Sequence, residues 1–250
     1  LEAHEVKSVT FILSTIQDNQ ALLKADPGYM ANLKALSIVE RERLLYGNWK
    51  IKAAKGLFFP RPAIGELLED VPSDEVRWVR GWDLAATDTD EGGDPAYTAS
   101  VLLGKRRDGS YVIADATNNR LRADKVRAMV KQCAAADKAQ YKRVRIRMSQ
   151  DPGQAGKEQA QSYVKMLAGF SGSVVKESGN KEARAEPFAA QWQAGNVKVV
   201  AGAWTETLLG QYESFPESKF KDLVDSGSNA FNELEMMNAG SVPPAENGTG

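Results

Sequence analysis

The sequence predicts a mixed α/β fold, a central sheet with helices against it. Three β-patterned stretches follow one another from Val76. After them, helical and strand-like stretches alternate to near the end of the chain, the order of a mixed α/β domain. The first of those strands, Val76 to Asp83, reads as buried and stops on a carboxylate. In α/β sheets the carboxyl ends of central strands are where ligands gather, so Asp83 marks the end of the sheet to watch.

The 250 residues, 42% hydrophobic and 26% charged, suit one large domain with a smaller attachment. The chain begins at Leu1 without a methionine and reads as a fragment of something longer. No apolar run has the length of a membrane span, so no membrane partner is expected. A single cysteine, Cys133, and a single histidine, His4, exclude a disulfide framework and a His/Cys zinc site within the chain. They also argue against a Ser-His-Asp or Cys-His nucleophile, since His4 lies near the terminus. An enzyme with this composition has to work with carboxylates and a metal ion.

The elements follow in order. Residues 1–75 form a helical segment and connector. Thr10–Leu23 has a mixed apolar pattern, Asp26-Pro27-Gly28 is a turn, and Tyr29–Tyr46 carries apolar residues at helical spacing, stopped by Gly47. Pro60, Pro62 and Pro72 punctuate the connector, and the domain boundary is placed between residues 55 and 75. Val76–Asp83 is the first strand and Asp88 to Pro95 an acidic loop. Tyr97–Leu103 and Tyr111–Ala116 are strands joined by a turn at Asp108-Gly109. Ala123–Asp137 is a helix, Arg143–Met148 a strand, Ala155–Ala168 a helix and Ser173–Lys176 a strand. Glu182–Ala194 is a helix, Val197–Val200 a strand, and Trp204–Glu213 and Asp222–Asn238 are the last helices. The tail from residue 240 to 250, with its prolines and glycines, is expected to be disordered.

Charge is unevenly spread although the net is only −1. Residues 61–100 hold ten acidic and three basic side chains, and residues 101–150 hold thirteen basic and four acidic ones. An acidic pocket beside a basic block suits a metal site that handles a polyanion. Solvated helix faces and edge-strand charges would give the same count.

Asp83 does not stand alone. Arg143–Met148 leads into Ser149-Gln150-Asp151-Pro152-Gly153, a second strand ending on an aspartate. Lys221-Asp222-Leu223-Val224-Asp225 places two more at the start of a helix, on one side of it. Asp151 could serve only as a turn or cap residue, and Asp222 and Asp225 only as partners of the helix dipole. If the four converge, carboxylates that close cannot all stay ionised without cations between them. Hard oxygen donors favour Mg²⁺ or Mn²⁺, and a pair of such ions would activate a water and stabilise the leaving oxygen of a phosphodiester.

With these residues in view, the chain resembles the nuclease domain of bacteriophage terminase large subunits, the DNA-packaging motors of tailed phages. The matching pieces are Gly81-Trp82-Asp83-Leu84-Ala85, Gln150-Asp151-Pro152-Gly153, Lys181 to Phe188, Ala194-Gly195-Asn196-Val197, Phe215-Pro216 and Lys221 to Asp225. They run in order over residues 76–239. The segments Asp26-Pro27-Gly28-Tyr29 and Leu45-Tyr46-Gly47-Asn48-Trp49 resemble that family's connector between ATPase and nuclease domains. The resemblance implies an RNase H-like fold and an endonuclease using Mg²⁺ or Mn²⁺, two ions together. It implies Asp83, Asp151 and Asp225 as a catalytic, metal-binding triad with Asp222 as a further metal ligand. Lys181 and Arg184 would contact DNA phosphates, and Asp94 could approach the site. Lys221 occupies a place where the family often has an acid or a histidine.

The partners so implied are double-stranded DNA, the terminase small subunit, the portal protein and an ATPase domain of the same full-length chain. The setting would be the host cytoplasm during phage assembly. No ATPase site is expected here, because Gly153-Gln154-Ala155-Gly156-Lys157-Glu158 is too short for a phosphate loop and lacks the Ser or Thr after lysine. Two alternatives are a nuclease-silent DNA clamp or docking module and another RNase H-like nuclease such as a junction resolvase or transposase.

Overall fold

A computed structural model of the chain describes residues 15–51, 54–73, 76–84, 97–150, 154–176 and 179–239. Asp94, Asp151, the loop from Asp88 to Pro95 and the tail after residue 239 lie outside the described residues. The chain forms two compact units, Leu1–Ala53 and Ala54–Gly250.

The smaller unit carries a 3-10 turn, Ile16–Asp18, and three short helices, α1 (Gln20–Ala25), α2 (Tyr29–Lys34) and α3 (Ile38–Leu44). The single helix expected from Tyr29 to Tyr46 is therefore two. Ser37 breaks it, because its backbone is extended and its hydroxyl accepts the Glu40 N–H at 3.4 Å, which starts a new helix.

The larger unit is built on a mixed sheet of β1 (Val76–Asp83), β2 (Thr98–Arg106), β3 (Tyr111–Asn119), β4 (Val144–Gln150), β5 (Ser171–Lys176) and β6 (Val197–Val199). Its order is β5-β4-β1-β2-β3-β6. β1, β2 and β3 are successive antiparallel neighbours, whereas β4 and β5 extend the sheet in parallel beyond β1 and β6 runs parallel to β3. The helices are α4 (Ala123–Tyr141), α5 (Gln154–Met166), α6 (Lys181–Gln193), α7 (Thr205–Ser214) and α8 (Asp222–Ala239). The mixed α/β order read from the sequence is the order found. Among the described residues, no helix is long and apolar enough to cross a membrane.

Strand alternation divides the core into two faces. On one, Trp82, Ile146 and Met148 pack with Val126, Val130 and Ala134 of α4 and Tyr163 and Leu167 beyond. Arg80 points to the same face as Trp82 and is 2% exposed. Its guanidinium makes a two-pronged bond to Asp137 of α4, at 2.6 and 2.8 Å, and reaches Asp115 at 2.8 Å and Ser100 at 3.0 Å. These partners turn a buried charge into a tie between β1, β2, β3 and α4.

On the other face α8 lies across β1, β2 and β4, with α6 and α7 packed onto it. Residues 54–73, expected in the connector, lend aromatic rings to this unit. Phe59 meets Tyr212 at 4.8 Å, Trp192 at 5.4 Å and Phe188 at 5.9 Å between ring centroids. The Trp192 indole N–H donates to the Pro60 carbonyl at 3.0 Å. That aromatic block holds α6 and α7 in fixed relation, and so fixes what α8 rests against.

Candidate active site at the end of strand β1

The strand motif Gly81-Trp82-Asp83 assigns three different jobs to three neighbouring residues. Trp82 is fully buried in the α4 and α5 face. Gly81 and Asp83, two apart, share the face covered by α8. At Gly81 the helix comes so close that a Cβ would lie 2.1 Å from the Ser226 carbonyl oxygen and 2.8 Å from the Ala230 nitrogen. Only glycine allows that approach, and it brings the first turns of α8 down beside Asp83. Asp83 itself closes the strand opposite Ala99 and is half-buried.

The start of α8 is held from α7. The Gln211 side-chain oxygen accepts the Leu223 N–H at 3.1 Å, and the Tyr212 hydroxyl donates to the Leu223 carbonyl at 3.1 Å. Gly227 leaves room for that tyrosine, since a Cβ there would lie 1.9 Å from its hydroxyl oxygen. Further along, Asn229 donates to Ser149 of β4 at 2.7 Å. Glu233 binds Arg145 and, at 3.1 Å, Arg147 of the same strand. Asp225, Asn229 and Glu233 recur every fourth residue and form one polar stripe against the sheet. Two of them anchor the helix to β4. The third, Asp225, stands at the end where β1 stops.

Asp225 is 6% exposed and carries cations on both oxygens. The Lys181 ammonium binds Oδ2, and the Arg184 guanidinium reaches Oδ1 at 3.4 Å. Both come from the first turn of α6, where Asn180 caps the helix by accepting the Ala183 N–H at 2.7 Å. Burial works against the Lys181 ammonium. Its bond to Asp225 and the charges of Asp225, Asp83 and Asp222 outweigh that and hold its pKa above the ordinary lysine value. Burial also raises the Asp222 carboxyl above the usual aspartate range; its own backbone N–H and Lys181 oppose the rise and Asp225 adds to it. Asp225 thus binds the Lys181 ammonium directly, and the charges of Asp83 and Asp222 act on it as well.

Lys181 and Arg184, expected from the sequence to face DNA phosphates, are seated on a carboxylate. Asp151 and Asp94 lie outside the described residues, and among those described no group of three or more His, Cys, Asp and Glu side chains is gathered tightly enough to hold a metal ion by itself. Part of the basic block also has structural work. Lys105 pairs with Glu235 of α8, and Arg145 and Arg147 pair with Glu233. The sequence reading missed Glu233, Asn229 and the Arg80–Asp137 pair. Only the four-residue spacing from Asp225 to Glu233, set against arginines at alternate positions in β4, could have pointed to the helix-to-strand match.

The family model of the terminase RNaseH-like domain matches residues 80–234, the stretch from β1 to α8 that builds the site. No curated protein matches the sequence. Among solved structures, the chain is similar to the large terminase nuclease of thermophilic phage G20c with bound zinc, at 17% identity and a TM-score of 0.49, over 70% of this chain and 98% of that one. The same nuclease with bound magnesium gives 16% identity and a TM-score of 0.49, over 73% of this chain and 99% of that one. The HK97 bacteriophage large terminase gives 13% identity and a TM-score of 0.41, over 88% of this chain and 51% of that one.

Proposed function

The chain belongs to the terminase RNaseH-like domain family, with an RNase H-like fold, and we propose that it is the metal-dependent endonuclease of a viral genome-packaging motor. Its substrate would be concatemeric double-stranded DNA, cut by hydrolysis of phosphodiester bonds. The observation that carries this reading is Asp225, a buried carboxylate in the first turn of α8 whose charge is met by Lys181 and Arg184, with Asp83 acting on the same lysine. A buried aspartate with so much cationic attention, in a helix's first turn packed over a central strand, is arranged for charge that comes and goes rather than for packing.

The donors fit a hard divalent cation. They are carboxylate oxygens only, and the position already attracts a positive group in Lys181. Asp83, Asp225 and, by the sequence motif, Asp151 would hold Mg²⁺ or Mn²⁺, two ions in all, with Asp222 beside them. Such ions would supply an acidic water for attack on phosphorus and positive charge for the leaving oxygen. The chain's own part is positional. Gly81 sets the depth of α8, Gln211 and Tyr212 fix its first turn, and Glu233 fixes its register on β4. Arg184, which also donates to the Gly179 carbonyl at 3.0 Å, sits where it can draw a phosphate toward the carboxylates. The small subunit, the portal and an ATPase domain belong to this proposal as partners, and the host cytoplasm as its setting.

The test is supercoiled plasmid incubated with the chain and Mn²⁺ or Mg²⁺. Nicked and linear products that vanish with EDTA are expected. A plasmid left intact at every metal concentration overturns the nuclease reading. Salt-sensitive DNA binding without cleavage would then favour a silent clamp.

A further inference from the structure

The Lys181–Asp225 contact has a consequence for metal binding, which rests on the proposed metal site. Lys181 Nζ is bound to Asp225 Oδ2, on an aspartate that solvent scarcely reaches. The lysine itself is half exposed, and its flexible stem starts at the first residue of α6. A divalent ion and an ammonium group on one carboxylate repel each other, so each weakens the other's hold. Arg184 differs, because its contact with Asp225 is the longer, at 3.4 Å, and its guanidinium is tied to the Gly179 carbonyl. The cation with both a direct hold on the carboxylate and a way out to solvent is therefore Lys181.

We infer that Lys181 is a built-in counter-ion to Asp225 that competes with an incoming metal, so that metal affinity is set by the cost of displacing it. Metal entry moves the ammonium off Asp225 and out to solvent, where it faces the phosphates of bound DNA. Lysine and divalent ions are then alternative counter-charges to Asp225. The lysine acts through Asp225 and is a positioning residue, not a catalytic one.

The test is Mn²⁺ binding by the whole chain, followed by calorimetry without DNA. Lys181→Met is expected to bind Mn²⁺ about tenfold more tightly than wild type, the scale of one charge-assisted hydrogen bond. Its thermal midpoint without metal should fall, and the rise on adding Mn²⁺ should be larger than in wild type. Lys181→Gln, which keeps a polar side chain without the charge, should do the same and serves if the methionine variant does not fold. Lys181→Arg should stay at wild-type affinity or below. If wild type binds Mn²⁺ and the neutral variants, folded by circular dichroism, bind no more tightly, the competition is overturned while the metal site stands. If neither wild type nor variants bind Mn²⁺, both ideas fall together.

Discussion

Asp225→Asn is expected to lower plasmid cleavage by about a thousandfold while leaving the chain folded. The substitution preserves shape, removes the negative charge and turns one acceptor oxygen into an amide donor. Asp225 is the buried carboxylate of the site, so no other group in the first turn of α8 can take its place at that depth. Asp222, three residues earlier and only half-buried, is the neighbour with the next best claim. The fold should tolerate the change. Lys181 is half exposed and can return to solvent, and the first turn of α8 is also held by Gln211 and Tyr212. A loss of about 1–2 kcal/mol is the expected scale for weakening a charge-assisted hydrogen bond of this kind. Cleavage measured with Mn²⁺ across a concentration series, beside a thermal melt, separates the two effects. A variant that melts normally and still cuts at a wild-type rate would remove Asp225 from the chemistry.

Gly81→Ala is expected to cost about 3 kcal/mol, a fall of roughly 6–12 °C in melting midpoint, and to abolish cleavage with it. The added Cβ would meet two backbone atoms of α8, the Ser226 oxygen at 2.1 Å and the Ala230 nitrogen at 2.8 Å. Neither can step aside by a rotamer change, so the helix itself must lift from the sheet. That movement takes Asp225 away from Asp83, and it pulls Glu233 from Arg145 and Arg147. Gly104→Ala is the control. Its Cβ would press on the Val76 and Trp78 side chains, on the opposite face from α8. It should destabilise without a comparable loss of cleavage per folded molecule. Equal loss of cleavage in both variants would mean that general stability, and not the depth of α8, governs the site.

Much of this arrangement was legible in the sequence because local pattern and tertiary role coincide. The first strand runs from Val76 to Asp83 as read, buried through its middle and half-buried at the aspartate that ends it. The last helix begins at Asp222, where acidic residues suit a helix start. The break at Ser37 was not legible, because the apolar spacing of Tyr29–Tyr46 continues across it and a lone serine inside a helical pattern is no signal. Nor was the Arg80–Asp137 pair, whose members are 57 residues apart and meet only when α4 closes over β1. Lys181 shows the limit most clearly. Its place near the site followed from the motif, but a basic side chain in a sequence carries no mark of whether it faces a phosphate or a carboxylate. The fold decides that by setting the start of α6 against the start of α8.

The central claim is that Asp83 and Asp225 share divalent metal. A crystal structure of the chain soaked in Mn²⁺, with anomalous difference density, tests it most directly. The expected result is a manganese peak about 2.1 Å from carboxylate oxygens of both residues, with Lys181 Nζ no longer on Asp225. Carboxylates more than about 8 Å apart, with no peak between them and Lys181 still in place, would contradict it.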